Sequence, residues 1–251
     1  MASQGGYLGL AGVRTWSLEV ASVTDITPRM RRIDLTGPGL DALEYQPGQD
    51  VMLIFPQDGG RPVHRRYTIR HLDRARPLLE LNVVLHGDGP AARWARAAGP
   101  GDPIEVAGPR GKITLVPGAG WHLFAGDETG VPAALAMMSA LPPGVRASAF
   151  FEVDDAEDEQ PLGEAAGPAR TATWVPREPA PPAGRGLLAA LADAELPPGP
   201  GHAYVAGEVG LVASLQRCLL DRGLAPEQIS AKGYWNRSRA NAAHGEPERR
   251  P

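Results

Sequence analysis

The sequence predicts a six-stranded antiparallel β-barrel over residues 1–116, followed by an open α/β domain over 117–251 that closes on a polar tail. Two observations lead there. The first half consists of short runs of alternating apolar and polar residues, interrupted at close intervals by Gly, Pro and Asp, as expected of strands that each bury one face. After the turn-rich Gly108-Pro109-Arg110-Gly111, apolar runs alternate instead with helical periods, the pattern of an open α/β sheet. A chain of 251 residues also exceeds the usual single-domain size of roughly 100 to 200.

Taken in order, Trp16, Leu18 and Val20 alternate with polar neighbours, and so do Ile33 and Leu35. Val51 to Phe55 is continuously apolar, as a strand buried on both faces would be. Leu79, Leu81, Val83 and Leu85 share one face, and Ile104-Glu105-Val106 ends the barrel set, with one short helix inserted. In the second half, Trp121–Ala125, Ala147–Val153 and Thr171–Val175 are expected strands, and Val131–Leu141 and the region of Leu187, Leu188 and Leu191 expected helices. Ala203–Ala206 is a strand, then a helix with Leu211, Leu215, Cys218 and Leu219 on one face, then a last strand over Ile229–Trp235. The acidic run Asp154–Glu159 and the Pro-rich stretch Pro176–Gly184 are expected as solvated connections.

Composition narrows the function. A net charge of −4 gives no global attraction to nucleic acid or anionic membrane, so any anion site must be local. Cys218 is the only cysteine, which excludes an intrachain disulfide, a multi-cysteine zinc site and a thiolate-held iron–sulfur cluster. No apolar run reaches the length of about 18 residues that a membrane helix needs, and the N-terminus has no signal-peptide pattern, so a cytoplasmic protein is expected.

Four segments can carry chemistry. Arg65-Arg66-Tyr67-Thr68-Ile69-Arg70 combines cations, an aromatic ring and a hydroxyl, which suits a phosphorylated aromatic cofactor as well as a cationic edge strand. His86-Gly87-Asp88-Gly89-Pro90-Ala91-Ala92 ends a strand and begins a helix, where exposed amides can receive a pyrophosphate or simply form a turn. Gly126-Asp127-Glu128-Thr129 makes a second strand-to-helix turn, but it lacks a full G-x-G-x-x-G and its carboxylates would repel a phosphate placed against them. Lys232-Gly233-Tyr234-Trp235-Asn236-Arg237 sets two aromatics beside cations, able to cover a flat ring and attract an anion or merely to close a core.

In this order the segments resemble the siderophore-interacting proteins, a branch of the ferredoxin-reductase-like flavoproteins. The likeness lies in R-x-Y-T-x-R at Arg65–Arg70, H-G-D-G-P-A at His86–Ala91, G-D-E-T at Gly126–Thr129, Ala206-Gly207-Glu208 and Gly233-Tyr234-Trp235, and it runs from about Thr15 to about Asn241. The resemblance implies an FAD-binding barrel followed by a Rossmann-like NAD(P)-binding-type domain. Arg65 would contact FAD phosphate, Tyr67 would lie against the isoalloxazine and Thr68 near its reactive nitrogen, while His86 and the Gly87–Ala92 turn hold the rest of the cofactor. Gly126–Thr129 would lie on the nicotinamide side, Tyr234 and Trp235 at the substrate mouth, and Lys232 and Arg237 would form a basic lip for an anionic ferric siderophore. Two positions depart from the pattern: Ala92 stands where related reductases often place a Ser or Thr, and Ser238 where a Gly commonly follows.

The implied activity is reduction of a ferric siderophore through FAD, with NADPH, NADH or ferredoxin as donor, in a monomer that holds no metal of its own. Two rival readings are a flavin reductase serving another acceptor, such as a redox protein, and a non-catalytic protein that carries siderophore or flavin.

Overall fold

A computed structural model describes residues 13–57, 60–178 and 184–237. They form two compact units, divided between Thr114 and Leu115. No helix among the described residues is long and apolar enough to cross a membrane.

In the first unit the strands are β1 (Thr15–Thr27), β2 (Met30–Thr36), β3 (Asp50–Phe55), β4 (Val63–Thr68), β5 (His71–Asp73), β6 (Leu78–Val84) and β7 (Pro103–Arg110), with helix α1 (Pro90–Ala97) between the last two. All pair antiparallel, in the order β4-β3-β7-β1-β2-β6-β5. The outermost members of that order, β4 and β5, are separated in the chain only by Ile69 and Arg70. The amide of Ile69 donates to Gln49 O on the β3 side, and the amide of Arg70 donates to Glu80 O on β6, each at 3.0 Å. One continuous segment therefore joins both edges, which closes the sheet into a barrel and leaves no free edge there.

Among the described residues the barrel has seven strands, one more than expected: β5 spans three residues, too few to display a period of two. Trp16, Leu18, Ile33, Leu35, Val51, Leu53, Leu79, Leu81 and Val106 fill its core, and Ala91 and Ala95 of α1 pack into it. Ile33 and Leu35 of β2 and Leu79 and Leu81 of β6 are all completely buried, so the alternation seen in the sequence is the alternation of inner and outer faces.

The second unit is a parallel sheet of β8 (Trp121–Asp127), β9 (Arg146–Val153), β10 (Arg170–Pro176), β11 (Gly201–Glu208) and β12 (Ile229–Trp235), with helices α2 (Val131–Ser139), α3 (Arg185–Asp193) and α4 (Val209–Asp221). Its order is β10-β9-β8-β11-β12. The chain winds outward from β8 in one direction and from β11 in the other, so the strand order reverses between these two neighbours. In open α/β sheets, ligands bind beyond the carboxyl ends of the strands at such a reversal.

Every residue of β8 is buried, as a central parallel strand covered on both faces requires. Leu123, Ala125 and Val205 pack against Leu187 and Leu191 of α3 and Leu211, Leu215 and Leu219 of α4, while Cys218 is only half-buried. One expectation fails here. The run Asp154–Glu159 is not a fully solvated connection, because it contains a short 3-10 turn over Ala156–Asp158 in which Asp158 is buried.

Candidate functional site

Side chains on β4 alternate between two faces, and this separates the tandem arginines. Val63 and Tyr67 pack against the barrel core, and Arg65 lies between them on the same side, opposite Leu53. Arg65 Nη1 donates to His64 O at 2.8 Å. Burial pushes the Tyr67 phenol up to about 12, against a weaker opposing pull from Arg65, so the ring carries a neutral hydroxyl.

Arg66 and Thr68 face the other way. Arg66 Nε and Nη2 donate to the two carboxylate oxygens of buried Asp50, both at 2.7 Å. This bidentate pair occupies Arg66 within the barrel wall. Thr68, the last residue of β4 and nearly buried, thus projects from the face opposite Tyr67.

The second segment follows β6. His86, Gly87, Asp88 and Gly89 are exposed, and Gly87 takes a left-handed φ of 64°. Gly89 is the N-cap of α1, with no side-chain cap, and Pro90 occupies the first turn. The amides of Ala91 and Ala92 precede the first intrahelical bond, which Arg93 N makes to Gly89 O at 3.0 Å. A methyl group added at Gly87 or Gly89 would meet nothing within 4 Å. One turn further on, the buried indole Nε1 of Trp94 has no hydrogen-bond partner, while its ring packs edge-on against Phe55 at 5.8 Å.

These observations fit a phosphorylated, aromatic cofactor: amides at a helix start and guanidinium groups for phosphate, an open glycine turn for close approach, and a tyrosine face for a flat ring. Ala92 is 8% exposed and offers its amide alone.

In the second unit the third segment lies at the reversal point. Asp127, 1% exposed, ends β8. Its Oδ1 accepts from Thr129 N at 2.9 Å and Thr129 Oγ1 at 2.5 Å, and its Oδ2 accepts from Glu208 N at 2.7 Å and Trp235 Nε1 at 2.9 Å. The carboxylate thereby joins the ends of β8, β11 and β12. Close packing demands glycine around it: a Cβ at Gly126 would lie 1.8 Å from Ala206 O, and one at Gly207, whose φ is 147°, would lie 2.8 Å from the Asp127 carboxylate.

Glu208 serves the neighbouring strand end by capping α4. Its Oε2 accepts from Gly210 N and Leu211 N at 2.6 and 3.0 Å, and its Oε1 from Arg237 N at 3.3 Å. The anion-attracting start of α4 is thus filled by the chain's own carboxylate.

On the other side of β8, Arg177 gathers three carboxylates, Glu128 of the third segment and two that the motifs did not reveal, Glu152 and Asp154. Its Nη2 pairs with Glu128 at 2.6 Å, its Nε with Glu152 at 2.9 Å, and its Nη1 with Asp154. Gly184 N also donates to Glu152, at 2.9 Å. The Glu128 carboxyl is pushed up to about 7, first by burial and then by the Asp127 charge, with Arg177 opposing. The available sequence signal was Glu152, a lone carboxylate in the buried stretch Ala147–Val153. Its partner Arg177 stood in a Pro-rich connection that looked merely solvated.

The fourth segment departs from expectation at one position. Alternation on β12 turns Ala231 toward the helical core and Lys232 to the other face. Lys232 is 5% exposed, with its ammonium 5.5 Å from the Tyr234 ring centroid, so it does not belong to an exposed basic lip. Arg237 is exposed and lies 5.7 Å over the Trp235 ring. Tyr234 and Trp235 are half-buried at the carboxyl end of β12. Ser238 lies outside the described residues. No group of three or more His, Cys, Asp or Glu among the described residues is arranged to hold a metal ion.

Comparison with known proteins matches both units. Residues 119–238 match the family model of the siderophore-interacting protein, and residues 19–63 and 56–113 match the siderophore-interacting FAD-binding domain. Among solved structures, a siderophore utilization protein from T. fusca is 35% identical with a TM-score of 0.83, covering 92% of this chain and 96% of that one. Among curated relatives, ferric vibriobactin reductase ViuB of Vibrio cholerae is 29% identical over 88% of this chain and 89% of its own. The NADPH-dependent ferric-chelate reductase of Escherichia coli is 28% identical over 89% and 94%.

Proposed function

The chain belongs to the siderophore-interacting protein family, and from that premise we propose that it is an FAD-dependent reductase that takes electrons from a nicotinamide dinucleotide and delivers them to a ferric siderophore. The observation that carries this reading is the segment that closes the barrel: it presents Arg65 and Tyr67 on one face, within the FAD-binding match. Relatives matched along most of their length are named as ferric reductases.

In this reading Arg65 and the amides of Ala91 and Ala92 hold the FAD phosphates, the open turn His86–Gly89 admits the diphosphate backbone, and Tyr67 supports the isoalloxazine ring. Thr68 borders the ring from the end of β4. Bound FAD would accept two electrons together and release them singly, chemistry that no side chain supplies. Asp127, buried and fully hydrogen-bonded, holds Trp235 in one orientation at the strand ends, where Tyr234, Trp235 and Arg237 border the substrate mouth. In the net reaction one NAD(P)H reduces two ferric complexes and releases one proton. Ferrous iron, the weaker Lewis acid, then leaves its hard oxygen chelator more readily. We place the protein in the cytoplasm as a monomer; the single cysteine is consistent with a reducing compartment.

The test is anaerobic. The FAD-loaded protein is given NADH, NADPH or reduced ferredoxin, then a ferric siderophore with a ferrous-specific trap. Bleaching of the flavin followed by trapped ferrous iron is the expected result. A sample that refuses FAD at saturating concentration overturns the reading. A sample that binds FAD yet reduces only redox proteins points to a different reductase, and one that no donor reduces points to a carrier.

A further inference from the structure

We propose that the second unit selects the unphosphorylated dinucleotide, NADH, and rejects NADPH, through the carboxylate group held on Arg177. This deepens the proposed reading and rests on it. The unit β8-α2-β9 has the form of the mononucleotide-binding half of a doubly wound sheet, with β8 beside the strand-order reversal. In such a half the adenosine ribose lies by the end of the second strand. An acidic residue there accepts from a free 2′-hydroxyl, whereas an arginine there receives a 2′-phosphate.

Here the second strand, β9, ends in Glu152-Val153, and Asp154 follows directly. An arginine is present, but each of its three nitrogens already faces a carboxylate: Nε meets Glu152, Nη1 meets Asp154 and Nη2 meets Glu128. Glu152 is 2% exposed and has its other oxygen on Gly184 N, so this arrangement belongs to the packed interior of the unit. Asp154 is the outward member, with 39% of its side chain exposed.

A 2′-phosphate arriving here would meet the outward Asp154 carboxylate first, and the one guanidinium beside it is already engaged by Asp154, Glu152 and Glu128. The phosphate could recruit Arg177 only by displacing Asp154 from Nη1, because Nε and Nη2 are held by the more deeply buried Glu152 and Glu128, whose loss of that partner the low dielectric opposes. A ribose hydroxyl makes no such demand and can donate to Asp154. The start of α4 offers no relief to added negative charge, because Glu208 already caps it.

Titration calorimetry of the FAD-loaded full chain with NAD⁺ and NADP⁺, which bind without reacting, tests this. NAD⁺ should bind at least tenfold more tightly, and rising salt should narrow the gap by screening the repulsion. Asp154→Asn should narrow it at least threefold, by tightening NADP⁺ and by weakening the ribose-hydroxyl contact of NAD⁺. Equal affinities, tighter NADP⁺ binding, or binding of neither dinucleotide would overturn the inference. Whether the reductase reading survives is judged separately: photoreduced FAD-loaded protein is mixed with a ferric siderophore, and trapped ferrous iron upholds that reading whatever the dinucleotides do.

Discussion

The Asp127 carboxylate accepts a 2.9 Å hydrogen bond from the Trp235 indole, linking residues 108 positions apart in the chain. Three further donors, from Thr129 and Glu208, complete its shell. Replacing Trp235 with Phe keeps a ring but removes one donor from a buried carboxylate. The expected cost is about 1–3 kcal/mol, read as a lower urea midpoint. Asp127→Ala releases all four donors at once and should cost more.

The tandem arginines should behave oppositely. Arg66→Ala removes the bidentate guanidinium partner of buried Asp50 and is expected to lower stability by about 1–3 kcal/mol while leaving FAD affinity near wild type. Arg65→Ala should weaken FAD binding at least tenfold, about 1.4 kcal/mol, with little change in the unfolding midpoint of the FAD-free protein. Flavin fluorescence titration and urea unfolding of both variants separate the two roles.

Stability should fall as pH rises toward neutrality through Glu128. Its carboxyl is raised from an ordinary 4.5 to about 7, so the folded state holds a proton that the unfolded chain has lost. The sign follows: this contribution is fully present below about 4.5 and lost as pH rises through about 7. Urea midpoints between pH 4.5 and 8 should decline for the wild type and flatten over that window in Glu128→Gln.

Gly126→Ala should be severely destabilising. The added methyl would stand 1.8 Å from the backbone oxygen of Ala206, and neither β8 nor β11 can withdraw without breaking their parallel pairing. A loss of about 3 kcal/mol or more is expected, visible as a thermal midpoint lowered by several degrees. Gly87→Ala, at an open turn with φ 64°, should cost about 1 kcal/mol from backbone strain alone.

Much of this architecture was legible because it depends on local periodicity. β12 runs over Ile229–Trp235 as the sequence indicates, and β9 begins only one residue earlier than expected. Three of the four motif segments fall at strand ends or strand-to-helix turns, and the fourth, Arg65–Arg70, runs through the end of β4 into the link to β5. The three-residue β5 escaped notice because it is recognised only by its pairing with β6. The inward turn of Lys232 escaped because a strand's polarity pattern does not say which of its faces is covered.

Segment order, hydrophobic period and motif identity, all properties of neighbouring residues, were sufficient for the barrel, the parallel sheet and the family. How each charge is satisfied was decided only in three dimensions. Arg66 goes to Asp50, Arg177 to Glu152 and Trp235 to Asp127 because strand register and sheet order, not chain spacing, bring those atoms within hydrogen-bonding distance. Burial makes such pairings costly to leave unmade, and that cost belongs to the folded arrangement rather than to any stretch of sequence.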